Sequence, residues 1–162
     1  MKRKLGYILA SCLGVGYFPF ASGTAGSFGT LPFAAAVIYF YGLPGLLLLA
    51  VGVFFVGVWA TAQVIDASKN KDPSIVVIDE AVGQLLTFSL VTPLLVGQMT
   101  HWELYLIGFF LFRFFDIFKL GPAKWADSKL TNAWGVMLDD VFAGVYAAVV
   151  LYFISFLGYF HG

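Results

Sequence analysis

From Gly29 to Ala62 the chain reads GTLPFAAAVIYFYGLPGLLLLAVGVFFVGVWATA, without one charged side chain. About 20 residues of helix cross the hydrocarbon of a bilayer, so this run is too long for one conventional span. YGLPG, Tyr41 to Gly45, places turn residues in its middle. The run therefore divides into a short helix ending near Phe40 and a second covering Leu46 to Val64. Three further apolar stretches follow, at Val82 to Val96, His101 to Phe118 and Val141 to Phe160. The expected fold is all-α: a polytopic membrane helical bundle of five crossings forming one domain over residues 1–162. A short interfacial or re-entrant segment precedes it, because Gly14, Gly16 and Pro19 break the apolar run after MKRK too early for a span.

Composition agrees with a membrane solvent, since 60% of the 162 residues are hydrophobic and 11% charged. Nine basic and nine acidic residues cancel, leaving no overall field for nucleic acid. The single cysteine, Cys12, has no internal disulfide partner and reads as a small packing residue.

Charge placement orients the chain. With a cytoplasmic N-terminus, every Lys and Arg falls inside or at an inner helix end, while GLPG, VGQMT and the tail YFHG carry none. All acidic residues except Glu103 join them on that face. Solubility alone does not require such convergence.

Asp79 and Glu80 open the third expected helix, and Asp139 and Asp140 begin the fifth, where either pair can serve as a cap. Adjacent helical residues point about 100° apart, so each pair can also send one carboxylate inward. Carboxylates gathered in low dielectric repel one another unless a cation compensates. Mg²⁺, a hard ion that takes carboxylate and water oxygens, is the expected cofactor and Asp79, Glu80, Asp116, Asp139 and Asp140 its expected ligands. Cys12, His101 and His161 are too dispersed for zinc. Arg113, Asp116 and Lys119 are spaced three apart on one helix side, so the two cations can hold an oxyanion beside Asp116.

The run FPFASGTAGSFGTLP reads as a glycine-rich loop before a helix that Pro32 opens. Its backbone N–H groups and hydroxyls at Gly23, Thr24, Gly26 and Ser27 would bind phosphate with Arg113 and Lys119. It lacks the final Gly-Lys-Ser/Thr of a P-loop. A small transporter or a nonenzymatic scaffold shares the composition, but charges confined to one face leave no path across the bilayer. The small residues Ala143, Gly144, Ala147 and Ala148 suit close helix packing and leave oligomeric state open.

Four motifs in this order, Phe18 to Pro32, Asp72 to Gln84 (DPSIVVIDEAVGQ), Phe112 to Lys119 (FRFFDIFK) and Trp134 to Ala147 (WGVMLDDVFAGVYA), resemble the phosphatidylglycerophosphatase A family over nearly the whole chain. That family comprises bacterial membrane phosphatases that convert phosphatidylglycerophosphate to phosphatidylglycerol. The resemblance implies Mg²⁺-dependent phosphomonoester hydrolysis in glycerophospholipid biosynthesis, at the cytoplasmic side of the inner membrane. It also implies functional roles for Asp79, Glu80, Asp116 beside Arg113 and Lys119, Asp139 and Asp140. The chain departs from the family pattern at Ser22 and at Leu120-Gly121, where the family favours proline.

Overall fold

A computed structural model of the chain describes residues 2–97 and 101–159. The expected outer turn VGQMT and the tail YFHG, with His161, lie partly outside the described residues. Regular structure among the described residues is helical. The chain runs through α1 (Lys2–Ala10), a 3₁₀ turn (Val15–Tyr17), α2 (Ser22–Ser68), α3 (Ile78–Thr87), α4 (Thr92–Leu95), α5 (Trp102–Phe118), α6 (Pro122–Lys129) and α7 (Ala133–Ile154). A wider π-type turn, Ser155–Tyr159, ends it.

Helix α2 is broken at Gly42, whose φ of 59° and ψ of −152° belong to a region essentially reserved for glycine. The break falls inside YGLPG, where turn chemistry predicts it, and Pro44 enters the first turn after it. The two arms fold back, so Ser22 Oγ at the start of α2 donates to Ser74 O, just past its end, at 2.8 Å. At the other extreme, α2 begins within the glycine-rich run. Ser22 to Thr30 are helical rather than loop, and Pro32 sits inside the helix rather than opening it.

The expected third span is also interrupted. Pro93 lacks the N–H that a continuous helix needs, so ten-residue α3 gives way to a turn and then to the single turn of α4. Thr87 and Thr92 return their hydroxyls to the carbonyls of Gly83 and Phe88, each at 2.9 Å. Irregular backbone in an apolar setting survives only where protein covers it. Here Thr87, Phe88, Val91, Thr92 and Leu95 are all buried.

Helix α7 starts well before the expected Val141. Asn132 caps it, accepting from Trp134 N at 3.1 Å and Gly135 N at 3.3 Å. Asp139 and Asp140 therefore lie two turns inside the helix and cap nothing. Helix α3 packs against α7 through glycine. A Cβ at Gly83 would lie 2.6 Å from Asp140 O, and one at Gly144 2.9 Å from Gly83 Cα, so the two backbones touch.

Helices Ser22–Ser68 and Ala133–Gly158 are long and apolar enough to cross a membrane, consistent with a membrane protein. Large apolar side chains such as Phe33, Leu48, Phe110 and Phe153 stand more than half exposed on α2, α5 and α7. Glu103 is set about 20 Å from Asp116 along α5, at 1.5 Å per residue.

Candidate functional site

The charged end of the bundle holds a cavity of about 160 Å³. Its walls carry Asp72, Asp79, Glu80, Asp116, Asp127, Asp139 and Asp140, against the ammonium groups of Lys71 and Lys119. A volume below the ~300–1,000 Å³ of sites that enclose whole small molecules suits a headgroup fragment. Helix α3 supplies Asp79 and Glu80 from its first turn, with Asp79 Oδ1 accepting from Glu80 N at 3.1 Å. Helix α7 supplies Asp139 and Asp140 in the same local geometry, Asp139 Oδ1 accepting from Asp140 N at 3.1 Å. The glycine seam fixes their separation. Gly83 is one turn beyond Asp79, and Gly144 one turn beyond Asp140, on the faces where α3 and α7 meet.

These contacts sort the expected carboxylates into two sets. Asp79, Glu80 and Asp140 bring one oxygen each to within 4.8 Å of one another. Asp116 and Asp139 are instead held by cations: Asp116 Oδ2 lies 2.6 Å from Arg113 Nη1, and Asp139 Oδ2 lies 2.6 Å from Lys119 Nζ. Lys119 reaches the cavity because it caps α5 in the left-handed conformation, φ 43°, which swings it off the helix line. It also holds Asp127 Oδ1 at 2.9 Å.

The donor set fits a hard divalent cation. Three carboxylates share one small volume, and Glu80 Oε2 is buried without a hydrogen-bond partner. Leaving such a group unpaired costs about 1–3 kcal/mol or more when charged, which an oxygen-seeking ion would offset.

The glycine-rich run meets the site only at its start. A Cβ at Gly23 would overlap Glu80 Oε1 and lie 3.2 Å from Arg113 Nη1, so the α2 N-terminus presses against both. Ser22 lines the cavity. Thr24 stands half-buried in the first turn, while Gly26 packs on Val77 and Ser27 Oγ donates to Gly23 O at 2.9 Å. The run therefore meets the site as a helix start at Ser22 to Thr24, not as a loop with free hydroxyls.

Over residues 8–155 the chain matches the family described as Phosphatidylglycerophosphatase A. The chain belongs to the phosphatidylglycerophosphatase A family. It is 31% identical to the Phosphatidylglycerophosphatase A of Haemophilus influenzae, covering 93% of this chain and 88% of the relative. It is 30% identical to the protein of that name from Escherichia coli, covering 92% and 83%. A Bacteroides thetaiotaomicron protein, provisionally named a phosphatidylinositol-3-phosphatase, is 38% identical over 93% of this chain and 95% of its own length. No solved structure matches.

Within this member of the phosphatidylglycerophosphatase A family the structure draws in residues to which the sequence reading gave no role. Lys71 reaches the backbone carbonyl of Asp127 across 56 positions of sequence, and Asp72 lines the cavity. Gln84 is fully buried one turn beyond Glu80 with neither amide atom partnered. The confinement of loop charges to one face hinted at the first two, and Asp72 and Gln84 stand at the ends of one quoted motif. Cys12 is not part of this chemistry. It rests 3.7 Å from Val77 O, and burial, with the Asp79 charge behind it, pushes the thiol up to about 11.

Proposed function

We propose that the chain is a Mg²⁺-dependent phosphatidylglycerophosphatase. It hydrolyses the terminal phosphomonoester of phosphatidylglycerophosphate to phosphatidylglycerol and inorganic phosphate, in glycerophospholipid biosynthesis. The observation that carries the reading is the convergence of Asp79, Glu80 and Asp140 within 4.8 Å in a cation-flanked cavity of a family member. So acidic a cavity repels a phosphate unless a metal is present, and the same carboxylates are the ligands for it.

Asp79, Glu80 and Asp140 would hold Mg²⁺, with Asp139 and Asp116 as the outer carboxylates. Bound there, the ion would lower the charge barrier between an anionic phosphate and its nucleophile. Lys119 and Arg113 hold Asp139 and Asp116 in place; Lys119, on the cavity wall, would present its remaining donor to a non-bridging phosphate oxygen, with the Arg113 charge set behind Asp116. The free N–H groups of Gly23 and Thr24 at the α2 N-terminus add to that field. Asp116 has Oδ2 committed to Arg113, so its other oxygen is the one to accept a proton.

In this reading the protein sits in the bacterial inner membrane as one multi-pass domain, with the two arms of α2, the α3–α4 segment, α5 and α7 as its five crossings. Lys and Arg confined to the charged end support a cytoplasmic site. The Bacteroides relative favours a second substrate of the same chemistry, a phosphoinositide phosphomonoester.

The test is phosphate release by purified protein in detergent, with Mg²⁺ or chelator. Phosphatidylglycerophosphate, phosphatidylinositol 3-phosphate and a soluble phosphomonoester are compared. Mg²⁺-dependent release fastest from phosphatidylglycerophosphate is expected. Preference for the phosphoinositide would reassign the substrate, and folded protein that releases nothing would overturn the reading.

A further inference from the structure

A large groove lies against α2, across α3 from the acids. It has a volume of about 820 Å³ and almost wholly apolar walls, and both arms of α2 contribute to it through glycines: Gly26 and Gly29 before the Gly42 break, Gly45 and Gly52 after it. Gly29 and Gly52 face open space, since a Cβ added at either meets no atom within 4 Å. Elsewhere on α2 glycine marks contact, as where Gly57 abuts Met137. Helix glycines cost about 1 kcal/mol each relative to alanine, so two that touch nothing need another reason than packing.

The groove adjoins the candidate site across the start of α3. In the first turns of α3, Ile78 and Ala81 line the groove while Asp79 and Glu80 line the acidic cavity, making this helix the wall between them. On α2 the same handover occurs within one turn: Gly23 presses on Glu80 and Arg113, and Gly26, packed on Val77, is the first α2 residue to line the groove. From Gly26 to Tyr41 the groove follows α2 for about 22 Å at 1.5 Å per residue. That exceeds the roughly 15 Å of one leaflet, half of a ~30 Å hydrocarbon core. Cys12 and Val15 flank the end nearest the acids.

We infer that this groove seats one acyl chain of the phospholipid whose phosphate enters the acidic cavity, so that the enzyme selects its substrate by chain as well as by headgroup. The inference rests on the lipid-phosphatase reading above and adds a built chain site where that reading requires only surrounding lipid.

Gly29→Leu and Gly52→Leu each fill the groove from a position with room for the new side chain, and leucine favours the helix more than glycine does. Folding is checked by circular dichroism and gel filtration. The ratio of kcat/KM for dioleoyl over dihexanoyl phosphatidylglycerophosphate is expected to fall about tenfold, the effect of roughly two displaced methylenes. A ratio within twofold of the parent in both folded variants would overturn the inference.

A binding readout separates this from the catalytic reading. Phosphatidic acid carrying a mid-chain diazirine is photolysed with the protein in nanodiscs, beside phosphatidylcholine with the same chain. Labelling of groove residues at least threefold above the phosphatidylcholine level, lost in both leucine variants, is expected. Equal labelling by both lipids over all exposed helices would mean annular lipid only and sink the proposal. Selective labelling by a protein that releases no phosphate would leave the chain site standing and remove the phosphatase reading instead.

Discussion

Asp139 and Asp140 are neighbours in sequence, yet Asp139 is held by Lys119 at 2.6 Å while Asp140 joins Asp79 and Glu80. Consecutive positions on α7 diverge by about 100°, enough to hand one carboxylate to Lys119 and the other to the cluster with Asp79 and Glu80. The two are therefore expected to fail differently when changed.

Asp140→Asn keeps the shape of a residue that is 3% exposed and removes one charge from a crowded cluster. Mg²⁺-dependent turnover should fall at least about a hundredfold, as for loss of a metal-site group. In chelator the variant should melt at or above the parent temperature, because like-charge repulsion is relieved. Added Mg²⁺ should raise the parent's melting temperature but not the variant's. Retained turnover would remove Asp140 from the site.

Lys119→Ala strips the partner from Asp139, whose side chain is 8% exposed. We expect a loss of about 2 kcal/mol, less than the ~3–5 for a fully enclosed pair because the Lys119 side chain is 29% exposed. Adding Asp139→Asn should restore most of the stability and none of the turnover. Restored turnover would make Lys119 a structural partner with no role toward phosphate.

Gly23→Ala would ordinarily favour a helix by about 1 kcal/mol. Here the methyl group meets Glu80 and Arg113. Turnover should drop about tenfold or more with stability unchanged or reduced, read by kinetics and thermal melting together. A more stable and fully active variant would detach the α2 N-terminus from the site.

Gly42→Ala forces a side chain into φ 59°, ψ −152°. Destabilisation of about 1–3 kcal/mol is expected in denaturant or thermal melts. A neutral result would show that α2 can bend elsewhere.

Much of this was legible in the sequence. The break in α2 announced itself as YGLPG because no other residue type tolerates Gly42's backbone, and α5 matched its apolar run because Lys119 ends it cleanly. Legibility failed where tertiary contact overrides local chemistry. Glycines 23, 26 and 29 read as a loop, yet helical backbone is what lets Gly23 and Gly26 press against Glu80 and Val77. The true cap of α7, Asn132, was hidden behind the apolar stretch before two conspicuous aspartates. Gathering Asp79, Glu80, Asp116, Asp139 and Asp140 at one end followed from charge placement. Their division between cations and cluster depends on the left-handed turn at Lys119, which no spacing rule encodes.

The contact between Gly83 and Gly144 would bear on which ion the proposed metal site accepts. Side-chain spacers can yield by a rotamer, but two backbones in contact cannot come closer or easily separate. Mg²⁺ coordinates at about 2.0–2.1 Å and Ca²⁺ at about 2.3–2.6 Å, so in the proposed Mg²⁺ site carboxylates mounted one turn from that seam would act as a gauge of ionic radius. Discrimination between these ions would then be written into the packing of two glycines that never touch the metal.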